Sequence, residues 1–174
     1  MNLSRALPLV LLLSSACAPA QAPFTDADAT AAEEEVRAAS LALVDALNTH
    51  QADSILAFYS LDENFTYVAC TTYYVGGEGY RAFVKSFHGL YPETKYTLEV
   101  GSVRVLGPSH AVVALEGSLT GPLWVTRVLR RDVRGRWLVT WEHESWPDCP
   151  GPEAPHPGSS EADTAMAAPA GTPS

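Results

Sequence analysis

The sequence is poor in basic residues. It has 11 Lys and Arg against 20 Asp and Glu, which gives a formal net charge of −9. Its densest basic group is the pair Arg130 and Arg131, with Arg134 and Arg136 nearby. Proteins that bind nucleic acids present a basic face that attracts phosphates. An acidic chain without such a face is therefore not expected to bind nucleic acid.

Long apolar runs and cysteine motifs are also missing. The apolar run at residues 7–13 is too short to span a bilayer stably as a helix. The chain has three cysteines, and neither a CxxC motif nor a Cys/His spacing typical of metal sites is present. The sequence thus predicts no transmembrane helix, no metal site and no cofactor, and any attachment to a membrane would be through a lipid alone.

Residues 1–17 have the pattern of a targeting segment. Arg5 supplies the positive charge, the apolar run follows, and small residues precede Cys17. This order resembles a bacterial lipoprotein signal, in which cleavage before a cysteine is followed by lipidation of that cysteine. The alternative is an ordinary secretory signal cut after Ala16, Ala18 or Ala20. Both interpretations predict export, either to the cell envelope by a lipid anchor on Cys17 or as a secreted or periplasmic protein.

Export bears on the two remaining cysteines, Cys70 and Cys149. Two cysteines in an oxidising compartment often pair, so a disulfide between them is expected. The alternative is two unpaired thiols, with Cys70 buried as a small apolar residue.

Composition divides the rest of the chain into three parts. Residues 18–29 are small, acidic and proline-containing, and we interpret them as a tether. Residues 30–146 hold the apolar and aromatic residues of one folded domain. Residues 147–174 carry seven of the thirteen prolines and almost no large apolar residue, so they are predicted to be a disordered tail.

The periodicity of residues 30–146 indicates helices followed by strands. A capping-box spacing, Thr30 to Glu33, predicts the start of the first helix. The opposite parity of apolar residues on the two sides of Gly101-Ser102 predicts a β-bulge there and a curved sheet. This order is typical of an α+β fold. The predicted elements are helices from 30, at 52–59 and at 78–87, a strand-forming segment at 64–75, and strands near 96–105, 109–117, 122–131 and 136–145.

The last strand ends on a polar group, Glu142-His143-Glu144-Ser145. Strict alternation places His143 with Trp137 and Trp141 on the apolar side of the strand, and both glutamates on the outer side. Hairpin pairing sets Thr126 or Trp124 opposite His143 and puts Arg127 on the outer side. Arg127 and Glu142 are therefore predicted to form an exposed cross-strand ion pair.

Three segments together resemble the SnoaL-like branch of the NTF2-like superfamily. They are FYSLDENFTYV, the stretch Gly76–Phe83, and RDVRGRWLVTWEHES, in which a Gly-Arg-Trp strand leads to a His-x-Ser triplet. The resemblance covers about residues 30–146. It implies a cone in which a curved antiparallel sheet wraps the helices around a pocket, and a homodimer that forms through the sheet.

The resemblance does not define an activity, since this fold hosts enzymes and proteins without chemistry. The first hypothesis is a pocket that binds a small apolar or aromatic molecule. The second is an isomerase or dehydratase with His143 as general base. The third is a structural or interaction module. The residues implied to line the pocket are Tyr59, Tyr74, Phe83, Trp124, Thr126, Trp141, His143 and Ser145.

Overall fold

The computed structural model describes residues 23–70 and 72–149. The signal segment, Cys17, most of the tether and residues 150–174 lie outside these ranges, so the predictions made for them are not addressed by the structure. The helices are α1 (Asp26–Leu47), α2 (Ala52–Leu56) and α3 (Gly77–Leu90). The strands are β1 (Thr66–Ala69), β2 (Thr72–Val75), β3 (Thr97–Gly107), β4 (His110–Ser118), β5 (Pro122–Arg131) and β6 (Trp137–Ser145).

Helix α1 begins four residues before the predicted start. Its N-cap is Thr25, whose hydroxyl accepts a hydrogen bond from the backbone of Asp28 at 3.2 Å. The Asp28 carboxylate in turn accepts one from the Thr25 backbone at 2.9 Å. This complete capping box fixes the start of the helix, and Thr30 lies inside it, where its hydroxyl donates to the carbonyl of Asp26. The prediction of a cap at Thr30 was wrong.

The strands form one curved, open sheet in the order β2-β1-β6-β5-β4-β3. Strands β1 and β6 pair in parallel, and the other neighbours are antiparallel. The helices pack against one side, here called the helix-covered face, and the other side is called the open face. The α+β cone expected from the sequence is confirmed.

The bulge predicted in β3 is present. Val100 pairs with Leu115 and Ser102 pairs with Ala114, so Gly101 is the extra residue. This shift bends the sheet around α1, whose buried side chains include Val36 and Leu43.

A bulge in β6 was not expected. Val128 pairs with Trp141 but Leu129 pairs with Val139, so Thr140 has no partner. One extra residue reverses the direction of every side chain that follows. Before the bulge, Trp137 and Val139 lie on the helix-covered face and are buried.

Residues after Thr140 have the opposite parity from the one predicted. Glu142 is buried on the helix-covered face and Glu144 shares its side of β6, whereas His143 lies on the open face. The prediction that His143 faces the core was therefore wrong. The prediction that Arg127 and Glu142 pair was correct in register, but the pair is buried rather than exposed, with 0% and 1% of the side chains accessible.

No helix in the described ranges has the length and hydropathy that crossing a membrane requires.

Candidate functional site

The helix-covered face carries a group of polar side chains deep in the domain. We call it the interior polar cluster, and define it as Tyr59, Tyr67, Arg127, Glu142 and Glu144. Strand β5 supplies the arginine, β6 the glutamates and β1 Tyr67, and the segment after α2 supplies Tyr59, which bridges to Val139 of β6. Each position follows from pairing, because Arg127 lies opposite Glu142 and β1 runs beside β6.

Glu142 is the centre of this cluster. Its carboxylate accepts a hydrogen bond from Nε of Arg127 and one from the hydroxyl of Tyr59, which lies 3.2 Å from both carboxylate oxygens. Burial opposes the charge on Arg127, but Glu142 and the other neighbours outweigh it and raise the pKa of the guanidinium. The two residues thus form a buried ion pair.

Arg127 is not fully satisfied by this pair. Its terminal nitrogens, Nη1 and Nη2, are buried and find no hydrogen-bond partner among residues 23–70 and 72–149. Buried N–H groups in proteins are nearly always paired with protein, water or ligand. These two nitrogens are therefore donors that the described residues leave unsatisfied.

Glu144 differs from Glu142 in its charge state. Burial, followed by the nearby charge of Glu142, raises its pKa to about 8. Its carboxyl accepts a hydrogen bond of 2.9 Å from the hydroxyl of Tyr67. Near neutral pH this carboxyl is largely protonated, yet it titrates close enough to neutrality to give or take a proton.

Aromatic rings enclose the cluster. Burial raises the pKa of Tyr59 and of Tyr67 well above the usual value, and the glutamates add to the effect. Tyr80 packs 5.0 Å from Tyr59 and 4.8 Å from Tyr67, measured between ring centroids. Phe83 and Tyr74 continue the stack on the side of Tyr67. Tyr59 and Tyr67 therefore stay neutral, and each donates a hydrogen bond to a glutamate carboxyl group.

A pocket opens at one end of the same face, and we call it the Trp146 pocket. Its volume is about 420 Å³. Leu123 is the pocket residue that shares a strand face with the cluster. It alternates with Val125 and Arg127 along the buried side of β5, and Val125 pairs with Glu144. Successive rows on a strand face are about 7 Å apart, which puts Glu144 one row and Arg127 two rows inward from Leu123. The pocket is lined by Phe87, Tyr91, Thr94, Leu119, Thr120, Gly121, Pro122, Leu123, Trp146, Pro147 and Asp148.

The residues predicted to line a pocket divide into two groups. Tyr59, Tyr74 and Phe83 lie inside the domain, in or beside the interior polar cluster. The other five lie on the open face or project from it, and none of them lines the Trp146 pocket. Their placement follows from β5 parity and from the bulge at Thr140. They are Trp124, Thr126, Trp141, His143 and Ser145.

His143 has neighbours unlike those of a pocket base. Its ring lies 6.0 Å from that of Trp141, between centroids, and Thr126 is its partner on β5. Glu144, the next residue along the strand, lies on the helix-covered side of β6 instead.

Cys70 and Cys149 form a disulfide in the structure, with Cα atoms 5.3 Å apart. Cys70 lies at the turn between β1 and β2 with a φ of 49°. Cys149 lies just beyond the wall of the Trp146 pocket. The described residues contain no group of three His, Cys, Asp or Glu side chains placed to hold a metal ion.

The fold resembles that of many solved structures. One is a protein of unknown function from the DUF3225 family of Pectobacterium atrosepticum, 18% identical, with a TM-score of 0.60 over 70% of this chain and 97% of that chain. Another is an NTF2-like protein of unknown function from Pseudomonas putida, 22% identical, with a TM-score of 0.56 over 68% and 88%. A ketosteroid isomerase-like protein from Erwinia carotovora is 17% identical, with a TM-score of 0.50 over 64% and 93%.

No protein-family model and no curated protein matches the sequence. At identities this low, the similarity to solved structures establishes the fold and nothing finer.

Proposed function

We propose that this chain, which has an NTF2-like fold, is an exported protein that binds a small molecule with an apolar or aromatic body in the Trp146 pocket. The observation that carries the proposal is the pocket itself. Its volume of about 420 Å³ lies within the range of small-molecule sites, which are mostly apolar with a few polar groups. Phe87, Leu123 and Trp146 supply the apolar contacts, and Thr94, Thr120 and Asp148 supply polar groups.

The cluster also restricts the chemistry of the ligand. Arg127 and Glu142 neutralise each other, and Glu144 is largely protonated near neutral pH. A ligand with a full negative charge would add an uncompensated charge to a buried site, which is costly. A neutral ligand avoids that cost. The proposed ligand is therefore neutral.

Binding of N-phenyl-1-naphthylamine, a neutral aromatic dye, tests the apolar part of this proposal. The dye should bind the purified protein saturably with increased fluorescence. Trp146→Ala should weaken binding about tenfold, because a large aromatic wall of the pocket is lost. Trp124→Ala is the matched control, since Trp124 is 48% exposed and outside the pocket. Absence of saturable binding, or equal binding by both variants, would show that the pocket is not a ligand site.

A second candidate function is proton transfer to or from a molecule that extends from the pocket to Glu144, one row inward from Leu123. The observation that favours it is the raised pKa of Glu144, about 8, beside a second carboxylate and the Tyr67 hydroxyl. Once ionised, Glu144 could take a proton from the carbon next to a ketone, and the electron pair would move to the carbonyl oxygen as an enolate. Returning the proton to carbon would complete an isomerisation or exchange.

Exchange of deuterium into phenylacetone, followed by proton NMR in D₂O, would detect this chemistry. The rate should rise with pH through about 8, the pKa of Glu144, and should fall to background in Glu144→Gln. His143→Ala should retain the full rate, because His143 lies on the open face. No exchange above background in the wild-type protein, or loss of exchange in His143→Ala, would reject this candidate.

A further inference from the structure

One wall of the Trp146 pocket lies outside the sheet. Trp146, Pro147 and Asp148 follow β6 directly, and all three line the pocket while being exposed on their other side. Strand pairing ends at Ser145, so the ladder does not hold this wall in place.

The hydrogen bonds of this segment are local. The Trp146 backbone N–H donates to Sγ of Cys149 at 3.4 Å, and the Cys149 N–H donates to the Trp146 carbonyl at 3.0 Å. Within the described part of the chain, no hydrogen bond joins residues 146–149 to another element. The link that remains is the disulfide to Cys70, at the turn between β1 and β2.

From this arrangement we propose that the Cys70–Cys149 disulfide controls the Trp146 pocket by fixing its movable wall, so that reduction lowers affinity for the ligand. A dithiol reductant would supply two electrons and two protons, giving two thiols and its own disulfide. Within the described residues, the covalent link of residues 146–149 to the domain would then be Ser145 alone, and the segment would gain conformational freedom, which binding must remove. This inference rests on the proposed function and adds regulation to the same pocket.

Two observations separate this role from simple stabilisation of the fold. The ladder between β5 and β6 extends to Ser145, and β1 pairs with β6 up to Ala69, so the sheet is complete without the disulfide. Both cysteines are also partly accessible, which leaves the bond open to attack by a thiolate. Reduction is thus expected to loosen the wall while the sheet persists.

The test compares N-phenyl-1-naphthylamine binding by oxidised protein, by protein treated with dithiothreitol, and by the variant Cys70→Ser/Cys149→Ser. All three carry Cys17→Ser, so that only the pair responds to reductant. Reduction and the double variant should each weaken binding about tenfold, comparable with Trp146→Ala, and the double variant should no longer respond to dithiothreitol. Far-UV circular dichroism should stay unchanged throughout.

The outcomes are distinguishable. If the oxidised protein does not bind the dye, the proposed function fails. If oxidised and reduced protein bind equally, redox control is overturned while ligand binding stands. Loss of the far-UV signal on reduction would also overturn it, because the disulfide would then support the whole fold. Detection of two free thiols in air-oxidised protein with a thiol reagent would overturn redox control, because the disulfide would then be absent.

Discussion

Glu144 and His143 are neighbours on β6, yet they lie on opposite faces of the sheet. The helix-covered face buries the ion pair of Arg127 and Glu142 and holds the partly buried Glu144, and each glutamate accepts a hydrogen bond from a tyrosine hydroxyl. The open face carries Trp124, which is 48% exposed, at the end of the sheet that also bears His143. Buried charges are costly unless a structure pairs them, so polar groups retained in a core point to a role in chemistry or binding.

The open face is a candidate surface for contact with a partner protein. Exposed aromatic side chains on a sheet are candidates for contact with a partner. The homodimer implied by the resemblance would have to use this face, because helices cover the other one. That association stays a prediction.

The two faces should differ most in the free energy of unfolding that is lost when a charged side chain is replaced. Arg127→Met leaves the Glu142 carboxylate buried without its partner and should cost about 3–5 kcal/mol in the free energy of unfolding. Arg130→Met, which removes an exposed pair with Asp62, should cost less than about 1 kcal/mol. Urea denaturation of both variants measures the contrast.

If Arg127→Met does not fold, the double variant Arg127→Met/Glu142→Leu remains informative. Replacing both members of a buried pair by apolar residues is often close to neutral. Recovery of a cooperative transition would support the buried pair, whereas similar stability of Arg127→Met and wild type would contradict it.

The two tryptophans of β6 allow a comparison within one strand. Trp137 is 5% exposed, and its indole N–H donates to Glu35 at 3.0 Å, so Trp137→Ala should destabilise the domain by about 3 kcal/mol. Trp141 lies beyond the bulge on the open face, and Trp141→Ala should cost about 1 kcal/mol. Equal losses would mean that both share one face, and that the shift at Thr140 is absent.

Titration of Glu144 should have a smaller effect on the free energy of unfolding. Between its unfolded pKa near 4.5 and its folded pKa of about 8, the folded protein keeps a proton that the unfolded chain has lost. The stabilisation is therefore complete below about pH 4.5 and disappears as the pH rises through about 8. Wild type should lose about 1–2 kcal/mol over this window, since Glu144 keeps some solvent exposure, and Glu144→Gln should not.

Glu116→Gln is the matched control for this titration. Glu116 lies exposed on the open face, paired with Trp124, and its replacement should leave the pH dependence of wild type intact. Urea midpoints at about pH 5 and about pH 9 would measure all three proteins. A Glu144→Gln profile with the wild-type slope would refute the assignment.

The smallest effect belongs to His143. His143→Ala should change the free energy of unfolding by less than about 1 kcal/mol and leave dye binding unchanged. A loss of binding comparable with that of Trp146→Ala would mean that His143 lines the pocket, on the core side of the strand as the sequence predicted.

Much of the fold could be predicted because periodicity is a local signal. The order of helices and strands, the bulge at Gly101 and the register that pairs Arg127 with Glu142 were all contained in the sequence. Strand β5 shows why the site was missed. Leu123, Val125 and Leu129 share the parity of Arg127, but Trp124 and Val128 make the opposite parity equally apolar. Parity on β5 therefore could not identify the buried face.

The bulge at Thr140 explains why the residues at the end of β6 were assigned to the wrong faces. No glycine marks it, so the alternation of Trp137, Val139 and Trp141 extends without interruption to His143. This one extra residue reverses the side of the sheet on which each of the five residues 141–145 lies. As a result Glu142 and Glu144, and not His143, lie on the helix-covered face. The Trp146 pocket was beyond sequence reasoning, because its lining comes from α3, the β4–β5 loop and the segment after β6.

The most direct test of the buried cluster is an NMR titration of the glutamate side-chain carboxyl carbons, with Glu144→Gln used to assign the resonance. The structure predicts one glutamate that titrates with a pKa of about 8 and is absent from the variant. If every glutamate titrates near 4.5, the carboxyl of Glu144 is in water, and the site described on the helix-covered face does not exist.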